Sequence, residues 1–196
     1  MKNPVTRLAT PVALFTGIML AVVAFAAPSS EDPPEISGEQ RAYALRQQGY
    51  LFHIRGDFEA AVVLFRRSIA VHPTAEGHTF LGWSLSKLGK IQEALSECKK
   101  AIAIDPEFGN PYNDIGVYLI DLGRPDEAVP WLEKATKAKR YCFYQFVHFN
   151  LGRVLLMQGK LEAARIEFQR SLRHDPDYVP AKMAIEYLDA EIGKSL

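Results

Sequence analysis

The chain has 196 residues, 48% of them hydrophobic and 23% charged, with 23 basic residues balanced by 23 acidic ones. At about 150 residues per domain, this length fits one domain or one short array of repeats. Zero net charge excludes the electrostatic footprint of a general nucleic-acid binder, and the apolar content excludes a disordered tail. The two cysteines, Cys98 and Cys142, are too few for a disulfide framework or a cysteine-based zinc site.

In chain order, the first element is a targeting segment over residues 1–26. Lys2 and Arg7 precede an uncharged stretch whose apolar heart runs from Val12 to Ala27, and Ala24-Phe25-Ala26 places small residues at the −3 and −1 positions of a signal-peptidase site. An uncleaved anchor is the competing reading, since about 20 apolar residues span a bilayer. Thr10, Pro11, Thr16 and Gly17 dilute the hydrophobicity and weigh against it. With no cysteine near this segment, a lipoprotein is excluded. Either way the remainder is expected outside the cytoplasm, periplasmic or secreted. Losing Lys2 and Arg7 lowers the basic count from 23 to 21, for a mature net charge of −2. Residues 27–41, including the run PSSEDPPEISG, read as a short stiff spacer in extended polyproline geometry.

Beyond residue 41 one unit repeats four times. Gly56, Gly89, Gly123 and Gly159 lie 33, 34 and 36 residues apart. Each is followed five residues later by alanine (Ala61, Ala94, Ala128, Ala164) and preceded by seven by a second glycine (Gly49, Gly82, Gly116, Gly152). Pro73, Pro106 and Pro176 close three of the units. Within each, apolar residues such as Val62, Phe65 and Ile69 fall at helical spacing. The later glycine suits a left-handed turn between two helices, and the earlier glycine with the alanine marks where the helices touch most closely. This period and pattern resemble the tetratricopeptide (TPR) repeat, a helix–turn–helix unit of 34 residues.

The expected fold is therefore all-α: a solenoid of four TPR units over about 42–74, 75–108, 109–142 and 145–178, right-handed as the resemblance implies. An amphipathic capping helix over 179–193 covers the last unit. Three departures stand out. Arg140 replaces the closing proline of the third unit, two extra residues precede the fourth, and Tyr141 to Phe149 holds six aromatic rings in nine residues. There the helix is expected to begin early or the array to bend. Pro130 is expected about one turn inside its helix, where a missing N–H costs least.

The resemblance implies a concave groove lined by the first helix of every unit. Carried over residue by residue, its positions are Tyr43, Arg46, Tyr50 and His53; Glu76, Thr79, Trp83 and Lys87; Asn110, Asn113, Val117 and Asp121; and Phe146, Phe149, Asn150, Arg153 and Met157. The strongest candidates for partner binding are Tyr43, Arg46, Tyr50, Trp83, Lys87, Asn110, Asn113, Phe149, Asn150 and Arg153. Amides suit the backbone of an extended segment and aromatics its side chains. The plainer alternative is core packing for Tyr43, Phe146 and Phe149, and ordinary solvation for Arg153. The lysine–asparagine clamp with which some TPR domains hold chaperone C-termini is absent. Arg46 could supply its first cation, but Tyr50 and Phe80 stand at its asparagine positions.

No catalytic chemistry is legible. The five histidines do not converge in sequence, and no His-Glu-x-x-His, Gly-x-Ser-x-Gly or glycine-rich phosphate loop occurs. Cys98 is expected as a small buried hydrophobe, beyond disulfide reach of Cys142. Lys99-Lys100 and the cluster Lys134, Lys137, Lys139 and Arg140 sit near helix C-termini, where cations are favoured. The function expected is a non-enzymatic adaptor of the cell envelope, with no cofactor and no metal, binding a protein or peptide in its groove. A membrane-anchored version and a self-associating structural protein are the alternatives.

Overall fold

The computed structural model describes residues 36–194. The targeting segment 1–26 and the spacer up to residue 35 lie outside the described residues. Among those described there are nine helices and no strand. They are α1 (Gly38–Ile54), α2 (Phe58–Val71), α3 (Ala75–Lys87), α4 (Ile91–Ile104), α5 (Asn110–Asp121), α6 (Pro125–Lys137), α7 (Tyr144–Met157), α8 (Leu161–His174) and α9 (Val179–Lys194). The first helix starts four residues ahead of the expected boundary at 42. Ser37 caps it by accepting a hydrogen bond from the Gln40 amide, while the Gln40 side chain accepts one from the Ser37 amide.

The first and second helices of each unit, α1–α2, α3–α4, α5–α6 and α7–α8, form the tightest pairs, and each second helix then packs on the next unit. One turn serves all four pairs. The amides of Asp57, Lys90, Arg124 and Lys160 return to Phe52, Leu85, Leu119 and Leu155 carbonyls at 2.9–3.0 Å. Each turn carries a glycine in the left-handed region, as at Gly89 with φ 73°. The close approach is equally concrete. A Cβ added at Gly49 would stand 2.7 Å from the Phe65 ring, which is fully buried.

Ala61, Ala94, Ala128 and Ala164 are wholly buried at the crossings, with Phe65, Cys98, Leu132 and Phe168 beneath them. Cys98 is buried, Cys142 is exposed, and both are free thiols. In two units the pair is also clamped by a polar bond: His78 Nδ1 lies 2.6 Å from Glu97, and His148 Nδ1 lies 2.8 Å from Glu167. The third unit has Tyr112 and Trp131 there instead, with ring centroids 6.2 Å apart.

The departures acquire physical explanations. Without a closing proline, α6 ends at Lys137, and the chain runs extended beside the end of the second unit. The Arg140 amide donates to the Glu107 carbonyl (2.9 Å), and the Gly109 amide donates to the Arg140 carbonyl (3.2 Å). The Arg140 guanidinium pairs with Glu76 at 2.7 Å and also with Asp105, tying the junction to the first turn of α3 and the end of α4. The two extra residues thus pass through a non-helical junction, and α7 begins one residue early, at Tyr144. Pro130 lies deeper than expected. It is six residues into α6, past the N–H groups that are free in any helix, so one bond to the Asp126 carbonyl is lost on an exposed face.

Curvature follows from which helices touch. Helices α1, α3, α5 and α7 approach one another from unit to unit, whereas the second helices make no approach of that extent. The array therefore closes on the side of the first helices. Helix α9 packs on α8, burying Ala181 and Leu188 against the fourth unit and leaving Val179, Met183 and Tyr187 exposed.

Candidate functional site

The concave surface is built by α1, α3, α5 and α7, and its character changes along its length. At the first unit a cavity of about 230 Å³ is lined by Tyr43, Arg46, His72, Thr74 and Glu76, among others. Arg46 donates to the Thr74 hydroxyl (3.1 Å) and lies 5.2 Å from the centre of the Tyr43 ring. Tyr43 remains half open to solvent, at 54% exposure. Tyr50 packs on Phe80 at a ring separation of 5.6 Å, and Phe80 packs on Trp83 at 4.9 Å.

The middle of the groove holds a second cavity of about 300 Å³. It is lined by His53, Trp83, Ser86, Lys87, Ile91, Asp114, Val117, Tyr118 and Asp121. Trp83 is half-buried, and its indole N–H donates to Asp114 Oδ2 at 2.5 Å. Burial pushes the Asp114 carboxyl up to about 7, against the opposing pull of hydrogen bonds from Trp83 and Asn113. His53 shares a 2.9 Å hydrogen bond with Ser84, and burial followed by the nearby Lys87 holds its imidazole below the usual range. Lys87 itself is exposed on the rim.

In the third and fourth units the amides are bonded to one another. Asn150 is buried and donates to Asn113 Oδ1 at 3.0 Å, while Arg153 reaches Asn150 at 3.4 Å and Asp121 at 3.0 Å. This ladder joins α5 to α7. Asn110 is half-buried at the start of α5. Phe149 packs against Phe168 and Tyr178, with ring separations of 5.5 and 5.4 Å.

Of the ten candidates, Trp83 and Lys87 thus share one cavity, Tyr43 and Arg46 another, and Asn113, Asn150 and Arg153 one hydrogen-bonded chain. Asp114, Ser86 and Tyr118 escaped the sequence reading. Asp114 stands one residue beyond a groove position, at the site filled by Phe80 in the second unit and Asn150 in the fourth. A charge at a position otherwise used between neighbouring first helices was the available signal. Among the described residues no cluster of three His, Cys, Asp or Glu side chains is placed to hold a metal ion. No helix among them is long and apolar enough to cross a membrane.

Comparison with known proteins fits this architecture. Models of the tetratricopeptide repeat match residues 75–108 and 145–178, and a second such model matches 110–142, together more than half of the chain. The chain belongs to the tetratricopeptide repeat family. Type IV pilus assembly protein PilF of Pseudomonas aeruginosa is 32% identical over 133 residues, covering 67% of this chain and 52% of that protein. The solved structure of P. aeruginosa PilF superimposes with a TM-score of 0.75 at 26% identity, covering 80% of this chain and 71% of the other. PilW, described as a widely conserved type IV pilus biogenesis factor, has the same fold with a TM-score of 0.72 at 20% identity, covering 79% of this chain and 71% of that one. Human DnaJ homolog subfamily C member 3 is 29% identical over 106 residues, 54% of this chain. The chain spans about half the length of PilF and about a fifth of the DnaJ homolog.

Proposed function

We propose that this protein is an exported, non-enzymatic scaffold of the cell envelope that holds a peptide or helix of a partner protein in its concave groove. Assembly of a type IV pilus or a related envelope machine is the setting that the similarity to PilF favours. The observation that carries the reading is the unbroken row of first helices. It presents two cavities whose walls combine aromatic rings with charged and hydrogen-bonding groups. Such a surface offers shape, apolar anchors and a few directed polar groups, which is what recognition of a short segment requires.

The test uses groove residues whose loss leaves the core intact. Tyr43→Ala and Arg153→Ala, combined in one chain of unchanged thermal stability, are expected to abolish capture of the partner from an envelope extract. Undiminished capture places the binding surface elsewhere.

A second reading, self-association, is favoured by one observation. Val179, Met183 and Tyr187 form an apolar stripe along α9, with exposures of 58%, 63% and 56%. Sedimentation of the full-length protein separates the two, because a strict monomer at high concentration contradicts self-association.

A further inference from the structure

The cavity in the middle of the groove contains a group that the general scaffold reading leaves unused. Asp114 points a carboxylate into it, yet both hydrogen bonds it receives come from neutral donors, the Trp83 indole and the Asn113 amide. Other acids along the array have cations: Glu76 and Asp105 share Arg140, Asp121 has Arg153, and Glu97 has Lys100. Among the described residues Asp114 has none. A carboxylate withdrawn from water without a countercharge is costly, and a cation supplied from outside recovers that cost.

We propose that this cavity receives one basic side chain, lysine or arginine, of the bound partner segment. The proposal rests on the groove reading and specifies the chemistry of its central subsite. The lining matches such a guest part by part. Trp83 and Val117 offer apolar walls for the methylene stem, and the indole face attracts a cation. Asp114 lines the cavity together with Asp121, whose exposed pair with Arg153 exchanges readily with solvent.

The other titratable groups facing the cavity are His53, Lys87 and Tyr118. His53 is engaged with Ser84 and held towards its neutral form, so it supplies no countercharge. Lys87 makes no ion pair with Asp114 or Asp121 among the described residues, and it stands on the rim, close enough to His53 to disfavour its protonation. Tyr118 is buried, and desolvation followed by the charge of Asp114 keeps its hydroxyl protonated. An acidic guest would meet two carboxylates in the same space. A basic one meets the charge that is missing.

The test is an array of random acetylated octapeptides probed with the full-length protein in mild detergent. The variants are Asp114→Asn, which preserves the Trp83 hydrogen bond, and Lys87→Met, which removes the competing rim charge. A charge-assisted hydrogen bond in a desolvated site corresponds to roughly a tenfold preference or more. The wild type is therefore expected to enrich lysine or arginine at one peptide position by about that factor. Asp114→Asn should lose the enrichment while still capturing peptides, and Lys87→Met should sharpen it. Capture without basic enrichment, or enrichment that survives Asp114→Asn, overturns this proposal and leaves the groove reading standing. Capture that is absent, or that is unchanged by Tyr43→Ala with Arg153→Ala, contradicts the groove reading and this proposal with it.

Discussion

Replacing Asp114 by asparagine is expected to flatten the dependence of stability on pH. In the unfolded chain the carboxyl titrates at its ordinary value of 3.8, whereas in the fold burial raises it to about 7. Between these values the native state holds a proton that the unfolded state has lost, so stability contributed by this group declines as pH rises through the window. Integrating from pH 5.5 to pH 8 gives a loss of about 2 kcal/mol attributable to Asp114. His53 and His174 act in the opposite sense, being held below their usual value mainly by burial, and they are present in both proteins. Their contribution therefore cancels when variant and wild type are compared. Urea denaturation at the two pH values measures the double difference directly. Asp114→Asn should lose about 2 kcal/mol less than wild type between pH 5.5 and 8, and should match or exceed wild-type stability at pH 8. Parallel pH profiles would refute the reasoning, because they would mean that Asp114 is well solvated and is no unpaired charge.

Other outcomes follow from the packing. Gly49→Ala drives a Cβ to 2.7 Å from the enclosed Phe65 ring and is expected to cost about 1–3 kcal/mol in urea denaturation. Gly82→Ala at the equivalent position meets Ala94 O and Cys98 Sγ at 3.4 Å and Glu97 Cβ at 3.9 Å, so it should be neutral or stabilise by up to about 1 kcal/mol through helix propensity. Burial favours protonation of Glu97 and Glu167, but hydrogen bonds from His78 and Lys100 to the first, and from His148 with the charge of Arg170 at the second, hold both below 4.5. Their stabilisation is present above the ordinary glutamate range and is lost as pH falls through their folded values, so Glu97→Gln with Glu167→Gln should blunt acid unfolding monitored by circular dichroism. Cys142 should react with a thiol reagent in the native protein and Cys98 only after denaturation, since Cys98 is enclosed and burial raises its thiol well above the usual value.

The architecture was legible because each marker answers a local steric demand. Left-handed glycines at the turns, alanines at the crossings and prolines after the second helices are properties of a single unit, and their recurrence survives without any tertiary information. Fine structure was less accessible where it depends on neighbours. Arg140 reads as a missing proline, yet its guanidinium ties the junction after the third unit to both ends of the second, as its 64-residue separation from Glu76 makes plain. Asn150 and Asn113 read as donors for a bound backbone, but in the fold they are bonded to each other, because the spacing between α5 and α7 brings amides on successive first helices into reach. Asp114 escaped because its position in the repeat is filled by an aromatic ring in one unit and an amide in another. Only the arrangement of Trp83 above it reveals a carboxylate without a cation.

A partner held in the groove lies along the row of first helices. Site-specific photo-crosslinking from the full-length protein in its native host tests this most directly, with the probe at Lys87 on the groove rim or at Lys99 beside the cleft between α4 and α6. Both positions are exposed, so neither substitution disturbs the core. A defined adduct from Lys87 that is absent from Lys99 is the predicted result. The same adduct from Lys99, with none from Lys87, would contradict the claim.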